Sequence, residues 1–372
     1  MAAAAPTQTP AAQIARIYQR ATFKELGSQT FAPGGSDIDF TLKQQGYTDL
    51  LLVQIKGSYA LANSCTPALV QGSHDIVKKF LVDVPGRETP INLSGRMLRI
   101  ANLRGNDFGI FPISGLPASV TGEEANSVYD AARDDFPITV NTTNDFVVNY
   151  VVPFHRSVVD HSGNLPTGAL DKIHLMITPA TSFADFMTTA HGVDNDVSDI
   201  SATVSVTQVI FSAPPSDALV IPGTTGDGIV IKYDETTDVI PQAGVATKIP
   251  IVAEDVLLAI AHAVTIAGVR DSADVDSVYL RVEESYFTDP NGQPADRKTV
   301  LDALANGAPF PEGVFMWDRD TPAAGQGDWI FTDGINDIEV GLTVKSGISL
   351  GTPNNSNVRT LRMRRIVLPA GA

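Results

Sequence analysis

The chain has 372 residues, more than one hydrophobic core usually organises, so two domains of about 150–200 residues each are expected. A hydrophobic fraction of 43% excludes a disordered chain, and 18% charged residues is low for a solvated monomer. A net charge of −16 argues against a protein that coats nucleic acid, and the single cysteine, Cys65, excludes a disulfide framework and a multi-cysteine metal site.

Met1–Pro10 is rich in Ala, Pro and Thr and has neither a basic n-region nor an apolar h-region, so no secretory leader is expected. Ala11–Leu26 is predicted as a helix. Ile14, Ile17 and Tyr18 fall at i, i+3, i+4, Ala21 continues that face, Arg16 and Arg20 lie off it, and Gly27 would cap it. The period then changes to two. Strands are predicted over Asp37–Leu42, Leu50–Leu61, Asp75–Val84, Arg96–Leu103, Phe136–Val140, Asp145–Pro153, Asp171–Thr178 and Ala202–Phe211. Gly105–Asp135 is a polar excursion too long for a hairpin loop. Eight strands is the count of a jelly roll.

Ser212–Asp217, with Pro214 and Pro215, reads as a hinge. The second half repeats the theme over Gly228–Tyr233, Lys248–Val252, Asp255–Val269, Asp276–Glu284, Gly313–Trp317, Asp328–Phe331, Asp337–Val344 and Asn357–Leu368, with a short helix at Asp296–Asn306. Val256–Val269 is too short to span a bilayer and reads as a long buried strand. The expected organisation is all-β: an N-terminal arm and helix (1–29), a first roll (30–212), a linker (213–227) and a second roll (228–372).

Charge is segregated along this plan. Residues 1–24 hold Arg16, Arg20 and Lys24 without an acid, and residues 340–372 hold Lys345, Arg359, Arg362, Arg364 and Arg365 without an acid. The two ends thus hold eight positive charges, and a total of −16 leaves −24 for the body between them. That pattern suggests basic ends facing an anionic surface and an acidic body facing solvent. Solvated arginines at element ends are the plain alternative.

Catalytic and metal motifs are missing from the sequence. His155 and His161 flank Asp160, and His174 sits in an alternating strand, but no His-x-x-x-His or cysteine partner accompanies them, so satisfied or surface imidazoles are expected. Asp194, Asn195, Asp196 and Asp199 lack the central Gly and distal Glu of a calcium loop and read as a solvated acidic turn. Gly223–Gly228 has no Lys and precedes no helix, which rejects a phosphate loop. No enzymatic activity and no cofactor are expected.

Three stretches resemble the major capsid proteins of tailless, internal-membrane bacteriophages of the tectivirus type. They are Gln29-Thr30-Phe31-Ala32-Pro33; Tyr150-Val151-Val152-Pro153 continuing through Ser157, Asp160, Gly163 and Leu165-Pro166; and Phe310-Pro311-Glu312-Gly313-Val314-Phe315-Met316-Trp317 before Asp318-Arg319-Asp320. The third is one residue shorter than the family pattern before Arg319. The resemblance implies two eight-stranded jelly rolls side by side (a double jelly roll) with few short helices. It implies a homotrimer forming a pseudo-hexagonal capsomer, which meets neighbouring capsomers and a vertex protein in an icosahedral shell over an internal lipid membrane. Such a protein is made in the host cytoplasm, resides in the virion and reads no nucleic-acid sequence. Together with the charge pattern it assigns inner-face or membrane contact to Ile14, Arg16, Ile17, Tyr18, Arg20, Arg359, Arg362, Arg364 and Arg365. The alternative is a carbohydrate- or receptor-binding β-sandwich, a spike or lectin, which would expose aromatic platforms such as Trp317, Trp329, Tyr47 or Tyr286. A hydrolase on a jelly-roll scaffold is a third reading.

Overall fold

The computed structural model describes residues 21–62, 68–69, 73–84, 89–105, 138–155, 163–170, 172–188, 196–212, 228–251, 256–270, 273–286, 313–318, 330–331, 335, 337–352 and 355–368. The first half contains β1 (Thr22–Phe31), β2 (Ile38–Thr41), β3 (Tyr47–Leu61), β4 (Ala68–Leu69), β5 (Val77–Asp83), β6 (Ile91–Leu93), helix α1 (Gly95–Gly105), β7 (Thr143–Pro153), β8 (His174–Pro179), β9 (Met187–Thr188) and β10 (Val197–Phe211). The second contains β11 (Gly228–Val239), β12 (Ala246–Pro250), β13 (Val256–Ile266), β14 (Val269–Arg270), β15 (Val275–Val282), β16 (Ser285–Tyr286), β17 (Val314–Asp318), β18 (Ile330–Phe331), β19 (Ile338–Val344) and β20 (Asn357–Leu368).

The two halves share one strand order. In the first, β1-β10-β3-β7 forms one sheet and β2-β8-β5-β6 the other, while the two-residue strands β4 and β9 pair only with each other. In the second, β11-β20-β13-β17 is matched with β12-β19-β15-β16, and β14 and β18 are short additions to β13. Each half therefore places its first, last, third and sixth main strands in one sheet and its second, seventh, fourth and fifth in the other. That interleaving is the order of a jelly roll.

The rolls are joined through β-structure. β11 pairs in parallel with β6, Tyr233 opposite Ile91 and Asp234 opposite Asn92, which merges sheets of both halves into a ten-stranded one. The β11-β20-β13-β17 sheet consequently has two buried faces. Ile231, Tyr233, Ala259, Ala261, Ala263, Val314, Met316, Leu361 and Met363 join the first roll's core, while Leu257, Ile260, Val264, Phe315, Trp317 and Val358 line the second. This double burial explains why β13 reads VLLAIAHAVTI with hardly any polar alternation.

Several sequence expectations are corrected. Residues 22–26 belong to strand β1, not to the predicted helix, whose remainder falls outside the described residues. β1 is exposed along most of its length, so it carries no buried face to impose a two-residue period. Gly27 does not cap a helix. It sits at a bulge between Glu25 and Gly27 with φ of 115°, a conformation suited to glycine. Arg96–Leu103 forms helix α1, not a strand. Ser94 through Asn102 are buried on every side, and the Met97 N–H donates to Ser94 Oγ (3.4 Å) at the helix start. Residues 138–140 form no strand, because Asn144 holds the Thr139 backbone at both N–H and C=O (2.9 Å each) in a turn. The predicted strand at Asp255–Val269 ends at Ile266, where Ala267 and Gly268 turn the chain into β14. The expected helix at Asp296–Asn306, the hinge at 213–217 and the excursion from 106 to 135 lie outside the described residues.

Candidate assembly site

Both rolls stand the same way up. Gln29 near the end of β1 donates to the Asp39 carbonyl of β2 (2.6 Å), and Lys43, just past β2, gives its N–H to Gln208 (2.8 Å), which lies opposite Lys24 early in β1, so β2 runs back against β1. The antiparallel pairs β2–β8, β8–β5 and β5–β6 then make β6 run in the sense of β1, and β11 is parallel to β6. In register, Thr22 lies opposite Ile210, Tyr47 opposite Phe211 and Gly228 opposite Leu368. The start of β1, the end of β10, the start of β11 and the end of β20 therefore share one end of the molecule. Residues 1–20 lead into that end, 213–227 join two strands there, and 369–372 follow from it.

Strand alternation sorts the C-terminal arginines. Arg362 lies opposite Asp234 on β11, and its Nε and Nη2 donate to the Asp234 carboxylate at 3.2 and 2.9 Å. Arg364 Nη2 donates to the same carboxylate at 2.9 Å. Both side chains are buried, so these two guanidiniums are engaged inside the second roll and are not presented to a headgroup surface. Arg359, near the other end of β20, turns to the first roll. It lies 3.8 Å from Glu235 and 4.0 Å from Asp75 and donates to Ser94 Oγ at 3.4 Å. Arg365 is opposite Ile231 on β11. Ile14, Arg16, Ile17, Tyr18 and Arg20 fall outside the described residues.

The junction also uses residues that the sequence reading did not select. Glu235 Oε2 accepts the Ser94 N–H at 2.7 Å, and Asp75 forms a two-pronged ion pair with Arg96. Tyr233 donates its N–H to the Pro90 carbonyl (2.7 Å) and its hydroxyl to the His155 carbonyl (3.1 Å). A signal was present: the acidic pair Asp234-Glu235 and the alternating Arg362, Arg364 occupy the first and last strands of one half, which are neighbours in a jelly roll.

Other candidates resolve as structure. His155 is buried 3.0 Å from Asp49, and His174 Nδ1 lies 3.0 Å from both oxygens of Asp39. His262 is fully buried, meets Thr360 Oγ1 at 2.9 Å and contacts Trp317 edge-on. Burial pushes its pKa down to about 3, so the ring is neutral. Trp317 is therefore core and not an exposed platform. On the outer face of the second roll, Arg281 and Tyr279 donate to Glu339 at 2.9 and 3.2 Å. The Arg281 hydrogen bond is the main cause holding the Glu339 pKa below its usual value. Asp238 is shifted upward by partial burial, an effect opposed by Arg362. Among the described residues, no group of three or more His, Cys, Asp or Glu could hold a metal ion, and no helix is long and apolar enough to cross a membrane.

No family model matches the chain, and no curated protein matches it by sequence. Solved structures do. The STIV MCP, from Sulfolobus turreted icosahedral virus, aligns with a TM-score of 0.65 and 13% identity over 94% of this chain and 97% of that one. A chain of the PBCV-1 virus capsid aligns at 0.60 and 10% identity, covering 95% and 97%. The major capsid protein P2 of bacteriophage PM2 aligns at 0.52 and 11% identity, covering 93% and 98%. The fold is a double jelly roll. In this double jelly roll, the apolar face shared by the two halves and the charged junction around Asp75, Ser94, Glu235 and Arg359 fix one roll against the other.

Proposed function

We propose that this chain is a major capsid protein. The observation that carries the reading is the pair of jelly rolls standing the same way up on one continuous sheet, which makes the chain a two-barrelled block with distinct ends. Three such blocks around a three-fold axis present six rolls, a pseudo-hexagonal outline that tiles an icosahedral shell. Neighbouring capsomers and a vertex protein would be its partners, and the virion shell its location after synthesis in the host cytoplasm. Low charge content suits large lateral contacts.

The end that receives residues 1–20 and 369–372 faces inward in this reading, towards the internal membrane of a bacteriophage. Arg16, Arg20 and the exposed Lys24 are delivered there, with Ile14, Ile17 and Tyr18 as apolar anchors and Arg365 near the end of β20. The test images purified protein by electron microscopy. Particles of pseudo-hexagonal outline support the capsomer, and isolated two-lobed particles at every concentration count against it. For the membrane part, the full chain should float with anionic vesicles and bind neutral ones less. Equal binding would remove the electrostatic contact.

A further inference from the structure

Helix α1 belongs to the first roll and packs mainly on β7, β5 and the turn at Ser73–Ile76, but its start is tied to the second roll. At its start, Ser94 gives its N–H to Glu235 and its hydroxyl oxygen accepts from Arg359, contacts that cross 141 and 265 residues of sequence. Two turns on, the buried Asn102 side chain closes the free edge of β7. Its Nδ2 donates to the Val151 carbonyl (2.6 Å), and its Oδ1 accepts the Val151 N–H (3.0 Å). β7 is the edge strand of its sheet, so without Asn102 those backbone groups would be an open template for another strand. An 11-residue helix is too short to persist unaided. Gly95, its first residue, is pressed so closely on the His74 carbonyl that an added Cβ would lie 2.1 Å from that oxygen, which fixes where the helix must start.

We propose that α1 is a latch set by the second roll: docking of Glu235 and Arg359 at its N-terminus holds Asn102 over the β7 edge. Because Glu235 and Arg359 are synthesised well after β7, the first roll keeps this edge unguarded until the second roll has folded. A half-folded chain is thereby marked by an open edge, and a complete one is closed. The helix transmits the coupling as a rigid rod about 12 Å long between Ser94 and Asn102.

Hydrogen exchange measured by mass spectrometry on the full chain tests this. In Glu235→Gln, which removes the charged acceptor and keeps the shape, peptides covering α1 and Val151 should exchange about tenfold faster or more. Peptides from the centre of the β3–β10 pair should be unchanged. Glu235→Asp, with the charge kept but the reach shortened, should fall between. Asn102→Leu should speed exchange at Val151 while leaving the β11 peptides as they were. Unchanged protection at Val151 in Glu235→Gln overturns the latch, and so does a uniform loss of protection across both rolls.

Discussion

Asp234→Asn should cost far more than the loss of an ordinary surface ion pair. The Asp234 carboxylate accepts from Arg362 at 3.2 and 2.9 Å and from Arg364 at 2.9 Å, and the three side chains are 13%, 10% and 4% exposed. The amide keeps the volume but removes the carboxylate that the two buried guanidiniums share, a change that typically costs about 3–5 kcal/mol. Against a stability of roughly 5–15 kcal/mol for a folded domain, that is a large share. Urea unfolding followed by tryptophan fluorescence reads it, because Trp317 lies in the same roll's core. With a slope of about 2–3 kcal/mol per molar urea, the midpoint should fall by about 1–2.5 M. Replacing Asp234, Arg362 and Arg364 together by Leu, Met and Met should cost less than the single change, since no charge is then stranded. A loss below about 1 kcal/mol for Asp234→Asn, the level of an exposed pair, would refute the interior placement of these arginines.

Three further outcomes follow from particular residues. His262 has its pKa pushed down to about 3 by burial, so the unfolded chain binds the proton first as pH falls. Its contribution is complete above the ordinary histidine pKa and is lost progressively down to about pH 3, by up to about 5 kcal/mol. Urea midpoints of the wild type and His262→Gln across pH 7 to 4 should therefore converge as pH falls, and a constant difference would count against a neutral buried ring. Gly95→Ala places a Cβ 2.1 Å from the His74 carbonyl and 2.9 Å from that of Val77, backbone atoms that cannot swing aside. A loss of about 3 kcal/mol is expected by thermal or urea unfolding, and a wild-type midpoint would contradict the close packing of α1. Ala267 holds a φ of 50° in the two-residue turn between β13 and β14, where Asn is better suited. Ala267→Asn should raise stability by about 0.5–1 kcal/mol, and a lowered melting temperature would show that the turn is built differently.

What the sequence disclosed depended on whether one face of an element meets water. β2 alternates buried and exposed residues without exception, and its span was readable to within a residue or so. β10 was readable for the same reason, since it alternates from Ala202 to Gln208, whereas β3 is buried on both faces from Thr48 to Val53 and showed instead as the apolar run Leu50–Val53. α1 was not, because it is buried on all sides, Arg96 and Arg99 included, and so shows no wet face to set a period. The spacing of Met97, Ile100 and Ala101 after Ser94 was the helical signal. β1 failed for the opposite cause, having almost no buried residue before Phe31. Arg362 and Arg364 looked like a basic surface because their partner Asp234 is 128 and 130 residues away. Strand pairing neutralises them, and pairing at that range leaves no local trace.

The proposed trimeric capsid block is best tested by the solution mass of the purified chain, measured by light scattering after gel filtration. Three times 39.5 kDa, about 118 kDa, is the mass predicted. A single species at 39.5 kDa that persists at every concentration would contradict it.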